Sequence, residues 1–223
     1  MRIRRRSLLL AGAGLAVQMA WLRATLAAGS VEKGIYRLRG EVRVNGSAAV
    51  EGMEIKVGDV ITTGAGSEVM FVSGRDAFLI RANARFEARG GAAGELLLGG
   101  LRLVTGAVLS VFAPGGTRTL STPTATIGVR GTAVYLEAEA ARSYVCVCYG
   151  EADIVSVIDA SKRETVRTMH HEQPRYVMGS GAPMMLMVAP VLNHTDAELI
   201  MLESMLGRRP PFTREAGYRE DRY

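Results

Sequence analysis

Between residues 40 and 180 the chain alternates short runs of β-type residues with turn signals: "EVRV" then Asn45-Gly46, "GDVITTG" then Gly64-Ala65-Gly66, "SEVMFV" then Ser73-Gly74. The runs "AFLIRA", "ELLLGGLRLVTGAVLSVF", "TAVYLEA", "SYVCVCYG", "ADIVSV" and "ETVRTMHH" continue the series. Turns about every 8 to 12 residues, with Val, Ile, Thr, Tyr and Phe in between, predict an all-β fold. Asn45-Gly46 marks a tight hairpin, because both central positions of a type I′ turn need positive φ. In "EVMFV", Val69 and Phe71 share one face and Met70 and Val72 the other. Runs apolar on both faces, such as "GAVLSVF", suit strands covered on two sides. The expected architecture is an antiparallel β-sandwich or, given the even spacing, a β-roll or short solenoid, with one short C-terminal α-helix.

That helix is predicted over residues 196–206. Thr195 and Glu198 stand at capping-box spacing, and Gly207 with Pro210-Pro211 ends the run. Leu199, Leu202 and Leu206 form an apolar stripe widened by Met201 and Met205, so the helix must dock, on this chain's own sheet or on a partner. The tail "TREAGYREDRY" is polar and expected to be mobile.

The N-terminus has another pattern. "MRIRRRSLLLAGAGLAVQMAWLRATLAAGS" has a basic start, an apolar stretch from Leu8 to Leu22 and small residues at Ala27 and Ala28. These are the parts of a secretory signal peptide, expected to occupy residues 1–27. Arg5-Arg6 before Ser7-Leu8-Leu9 resembles the twin-arginine export motif. The competing reading is an uncleaved inner-membrane anchor, for which this stretch is short of the ~20 residues a spanning helix needs. Cleavage leaves about 195 residues, enough for one domain, with a lead-in over 28–39, a β domain over 40–180 and an extension over 181–223. It also changes the charge. The chain has 27 basic and 22 acidic residues; Arg2, Arg4, Arg5, Arg6 and Arg23 leave with the leader, so 22 basic residues face 22 acidic ones. A neutral mature chain removes the electrostatic case for nucleic-acid binding.

Three blocks, Gly58-Asp59 through Ser67, Thr105 through Val111 and "TPTATIGVRGT" from Thr122 to Thr132, resemble the FecR-type periplasmic domain over about residues 40–155. That resemblance implies an all-β module on the periplasmic side of a bacterial envelope. In such proteins it is the sensor half of transmembrane regulators that relay outer-membrane iron transport to a cytoplasmic sigma factor. No helical domain precedes the apolar segment here and no second large domain follows, so the expectation is a binding module exported alone, with an envelope protein or small ligand as partner. The motif residues themselves read as structural: Asp59 as a turn former, and Arg130 as a clamp paired with a carboxylate or with carbonyls.

Enzymatic chemistry has little to stand on. G-x-S-x-G, H-E-x-x-H and a phosphate loop are absent, and His170, His171 and His194 are the only histidines. The expected protein is therefore not an enzyme. The remaining candidate chemistry is in "YVCVCYG". Cys146 and Cys148 are two apart on a strand, hence on one face, and can be buried thiols, half of a disulfide within or between chains, or a metal or redox site. Thiolate with imidazole suits zinc or copper, and "TMHHEQPRY" supplies His170 and His171. Consecutive residues on a strand point oppositely, so only one of the two can join the cysteines unless the strand ends at 170, which argues for Cys₂His plus an outside ligand. The methionines of "PMMLM" could add thioethers for Cu(I). A c-type haem is disfavoured without C-x-x-C-H.

Overall fold

A computed structural model describes residues 33–90 and 98–214, leaving out the side chains of residues 98 and 132. The leader over 1–27, most of the Gly-rich segment 90–95 and the tail beyond 214 lie outside the described residues.

Among the described residues, fourteen strands, one short α-helix and a 3₁₀ turn over Pro211–Arg214 make the fold all-β. Three long strands organise it: β8 (Leu98–Val111), β10 (Ala125–Ala138) and β11 (Arg142–Ser156). Each contributes its two halves to two different layers. In the first layer β8 pairs through residues 98–105 with β7 (Arg85–Gly90), which continues to β4 (Val60–Thr63), β2 (Val42–Val44) and β3 (Ser47–Ala48). On its other side lie β9 (Thr117–Ser121), the first half of β10, the second half of β11 and β12 (Arg163–Thr168). In the second layer β1 (Gly34–Arg39), β5 (Glu68–Ser73) and β6 (Asp76–Ile80) lead to the second half of β8. The second half of β10, the first half of β11, β13 (Arg175–Met178) and β14 (Leu186–Val188) follow. All pairings are antiparallel except β8 with β9. That ladder selects the sandwich over the solenoid, whose stacked repeats pair in parallel.

The bends need glycine. Gly106 in β8 has φ 80°, and a Cβ there would lie 2.6 Å from the Ala84 Cα. Gly131 in β10 has φ 54°, its Cβ would lie 2.8 Å from the Pro114 Cα, and the β10–β11 register shifts just there.

Two cores result, one on each side of the second layer. Val69, Phe71, Phe78, Ile80, Val108, Val134, Leu136, Val145 and Val147 face the first layer's Phe86, Leu103, Leu120, Ile127 and Ile154. Met70, Val72, Leu79, Leu109, Val111, Tyr135, Tyr144, Cys146 and Cys148 face the opposite way. That outer face is covered by an arm, residues 189–214, whose helix α1 (Asp196–Met205) presses Leu199, Leu202 and Met205 onto it. Thr195 caps α1 with Glu198 in a reciprocal capping box.

Three expectations change. The lead-in 28–39 contains β1, which pairs with β5 and buries Ile35, so the β domain starts before 40, and β14 carries it past 180. Arg130 is no buried clamp: its side chain is 66% exposed and its nearest carboxylate, Asp153, is 3.9 Å away.

Candidate metal centre

The site is assembled where β11 changes edge partners. β12 pairs with residues 150–155 of β11 and β13 with residues 142–145. The connection between them, residues 169–174, therefore runs beside the middle of β11. There the His171 N–H donates to the Cys148 carbonyl at 3.0 Å. His171 takes a left-handed turn, φ 58°, which sends its ring under the arm. Cys146 and Cys148 alternate with Val145 and Val147 and so present both sulfurs to the outer core. His194 comes from the arm, directly before the cap of α1.

Cys146, Cys148, His171 and His194 are all buried, and one ligand atom from each lies within 4.8 Å of the others. His171 Nδ1 is 3.6 Å from the Cys146 sulfur and 3.0 Å from His194 Nε2. A tetrahedral ion with metal–sulfur bonds near ~2.3 Å and metal–nitrogen bonds of ~2.0–2.1 Å sets donor–donor edges of roughly 3.3–3.8 Å, so donors already within 4.8 Å of one another need only small shifts to share one coordination sphere. The two irons of a [2Fe–2S] centre would hold cysteines and histidines further apart.

The outer hydrogen bonds decide which ring nitrogens carry hydrogen. His171 Nε2 faces the Asp196 carboxylate at 3.1 Å, and His194 Nδ1 faces the Leu192 carbonyl at 2.6 Å. Both partners only accept, so both of those nitrogens carry hydrogen. His171 Nδ1 and His194 Nε2 then face one another, with the Cys146 sulfur beside His171 Nδ1, while the Cys148 thiol donates to the Cys146 carbonyl at 3.7 Å. Two lone pairs at 3.0 Å repel unless a cation sits between them. This pattern, imidazole oriented by a carboxylate or carbonyl behind it, is that of metal-ligating histidines.

Electrostatics divide the two thiols. The Cys148 thiol, then both imidazoles, hold the Cys146 thiol well below its ordinary value against the effect of burial. Burial and the neighbouring Cys146 push Cys148 up. His171 loses charge stability to burial but is pushed up to about 9 by Asp196 and Cys146. Without metal, one proton on His171 fills the gap between the nitrogens; an ion would displace it.

Of the four residues expected to ligate, Cys146, Cys148 and His171 come together. His170 does not join them. Its Nε2 lies 2.8 and 2.9 Å from the two Asp196 oxygens and its ring stacks on Phe212 at 4.3 Å, so it supports the carboxylate behind His171. The fourth donor, His194, takes the place expected for an outside ligand. It stacks on Tyr135 at 4.5 Å. The sequence carried a signal for it: an apolar helix that must dock on the sheet brings the residue before its cap to the sheet as well. Cys146 and Cys148 are not bridged. Met184 and Met187 are exposed, away from the buried cluster's character, and supply no thioether core.

No family model matches the chain, and no curated protein matches it. Among solved structures, two crystal structures of a candidate anti-sigma factor from Parabacteroides distasonis are similar to it. Both are 11% identical with a TM-score of 0.48, covering 66% of this chain and 74% and 73% of the other. A likeness of that degree assigns neither family nor function. Among the described residues no helix is long and apolar enough to cross a membrane.

Proposed function

We propose that this is an exported envelope protein whose β-sandwich binds one zinc ion through Cys146, Cys148, His171 and His194. The observation that carries the reading is the buried cluster itself: the outer nitrogens of His171 and His194 are committed to Asp196 and the Leu192 carbonyl, and their inner nitrogens lie with both cysteine sulfurs within 4.8 Å of one another. Two sulfurs and two imidazole nitrogens in tetrahedral spacing suit zinc. Four protein ligands, all buried, leave no open position for a substrate, which favours a structural over a catalytic ion and supports a non-enzymatic role. The leader supports delivery to the periplasm, where ligation would keep two neighbouring thiols from oxidation. The motif resemblance supports an interaction role in the envelope, with signalling as its most specific form.

Metal analysis of the mature protein purified from periplasm tests this. The expected result is about one zinc per chain, lost when both cysteines are replaced by serine. A protein free of metal at neutral pH with zinc supplied would contradict it, and stoichiometric copper would replace zinc by copper in the same site.

A further inference from the structure

We propose, resting on the metal-site reading, that the ion is a latch: it holds residues 189–214 against the outer core, and its removal loosens that arm while the sandwich persists.

The ligands are divided across a joint. Cys146, Cys148 and His171 belong to the sandwich, whereas His194 belongs to the arm, as does Asp196, the first residue of α1 and the partner of His171 Nε2. Because His194 immediately precedes the cap, a bond to its Nε2 fixes the start of the whole helix. Without the ion a single hydrogen bond spans the 3.0 Å between His171 Nδ1 and His194 Nε2; with it, each nitrogen has its own bond to the metal.

The division of the cores makes the loosening local. The core between the two layers draws on no residue of the arm, while Ala189, Leu199, Met201, Leu202, Met205 and Phe212 all belong to the outer cluster. Other contacts resist full departure. Arg81 reaches Glu198 at 2.8 Å, Asn193 donates to Glu137 at 2.7 Å, and Tyr149 hydrogen-bonds Glu203. The metal-free arm therefore opens and recloses more often rather than leaving.

Hydrogen–deuterium exchange of the mature chain, zinc-loaded and then stripped with a chelator, reads this directly. A ligand at about 100 times its dissociation constant favours the bound form about 100-fold, less whatever affinity the three sandwich ligands keep. Amides of 199–206 should exchange at least about tenfold faster after stripping, while those of 69–80 stay within about twofold. In His194→Gln the arm should exchange fast with or without zinc, with 69–80 protected as before. Zinc at one per chain with arm exchange unchanged by stripping overturns the latch alone. Equal loosening of 69–80 also overturns it, since the ion would then stabilise the whole fold. A chain that takes up no zinc overturns the centre and the latch with it.

Discussion

Asp196→Asn separates a metal centre from a packed polar cluster. Asp196 is fully buried and accepts from His171 Nε2 at 3.1 Å and from His170 Nε2 at 2.8 and 2.9 Å. Asparagine keeps the shape and, with Oδ1 toward the rings, an oxygen that can accept from both, but it loses the charge and puts an NH₂ donor where the second oxygen faced His170. His171 then becomes a weaker and less firmly oriented ligand. Partners behind metal-bound histidines are typically worth 10- to 100-fold in affinity, about 1.4–2.7 kcal/mol. The neutral acceptor that survives places this variant toward the lower end. Zinc affinity, measured at fixed pH by competition with a chromophoric chelator, should fall about 10- to 30-fold. His170→Asn, which alters the carboxylate's other partner and the stack on Phe212 but no ligand, should cost less than about tenfold, and His171→Asn should cost far more than either. Asp196→Asn binding zinc within about twofold of the wild type, or His170→Asn losing zinc as completely as His171→Asn, would refute the assignment of ligand and supporting residue.

Other expectations follow from the same structure. Leu202→Ala removes a fully buried side chain from the outer core and should lower unfolding free energy in denaturant titration by about 2–5 kcal/mol; a loss below about 1 kcal/mol would contradict the docking of α1. Thr195→Ala removes the side-chain half of the capping box, in which the Glu198 N–H donates to Thr195 Oγ1 at 3.4 Å, and should cost about 1 kcal/mol in the same assay. Gly131→Ala must hold a left-handed conformation against Pro114 and should cost about 1–3 kcal/mol, with no loss read as evidence against the bend in β10. Export with cleavage near Ala27 removes Trp21, the only tryptophan, so intact mass and fluorescence of periplasmic protein should show tyrosine emission alone; tryptophan emission would contradict cleavage.

The alternation of the strands was readable. Val69 and Phe71 enter the core between the layers and Met70 and Val72 the outer one, as period-two geometry requires. Runs apolar on both faces proved to be the strands of the second layer, covered by the first layer on one side and by the arm on the other. Asn45 and Gly46 take φ 51° and 81° in the expected hairpin. Asp59 accepts from the Lys56 N–H at 2.7 Å, the turn role read from the sequence. The helix ran from Asp196 to Met205, with Leu206 as its C-cap. The site was half readable. Local spacing places Cys146 and Cys148 on one face because they share a strand, but His171 reaches them through a left-handed turn rather than by strand alternation, and His194 arrives from a segment 23 residues further on. Nothing in local pattern states which edge of β11 receives the 169–174 connection or over which face the arm folds; both are set by long-range pairing. That the second layer's outer face needed a cover was implicit in its apolar residues, and the predicted C-terminal helix began beside His194.

X-ray absorption at the metal edge of the protein purified from periplasm tests the central claim most directly. The account predicts a zinc edge with two sulfur scatterers near ~2.3 Å and two imidazole nitrogens near ~2.0–2.1 Å, the sulfur shell vanishing in Cys146→Ser/Cys148→Ser. A first shell of oxygen and nitrogen without sulfur, or no bound metal at all, would contradict it.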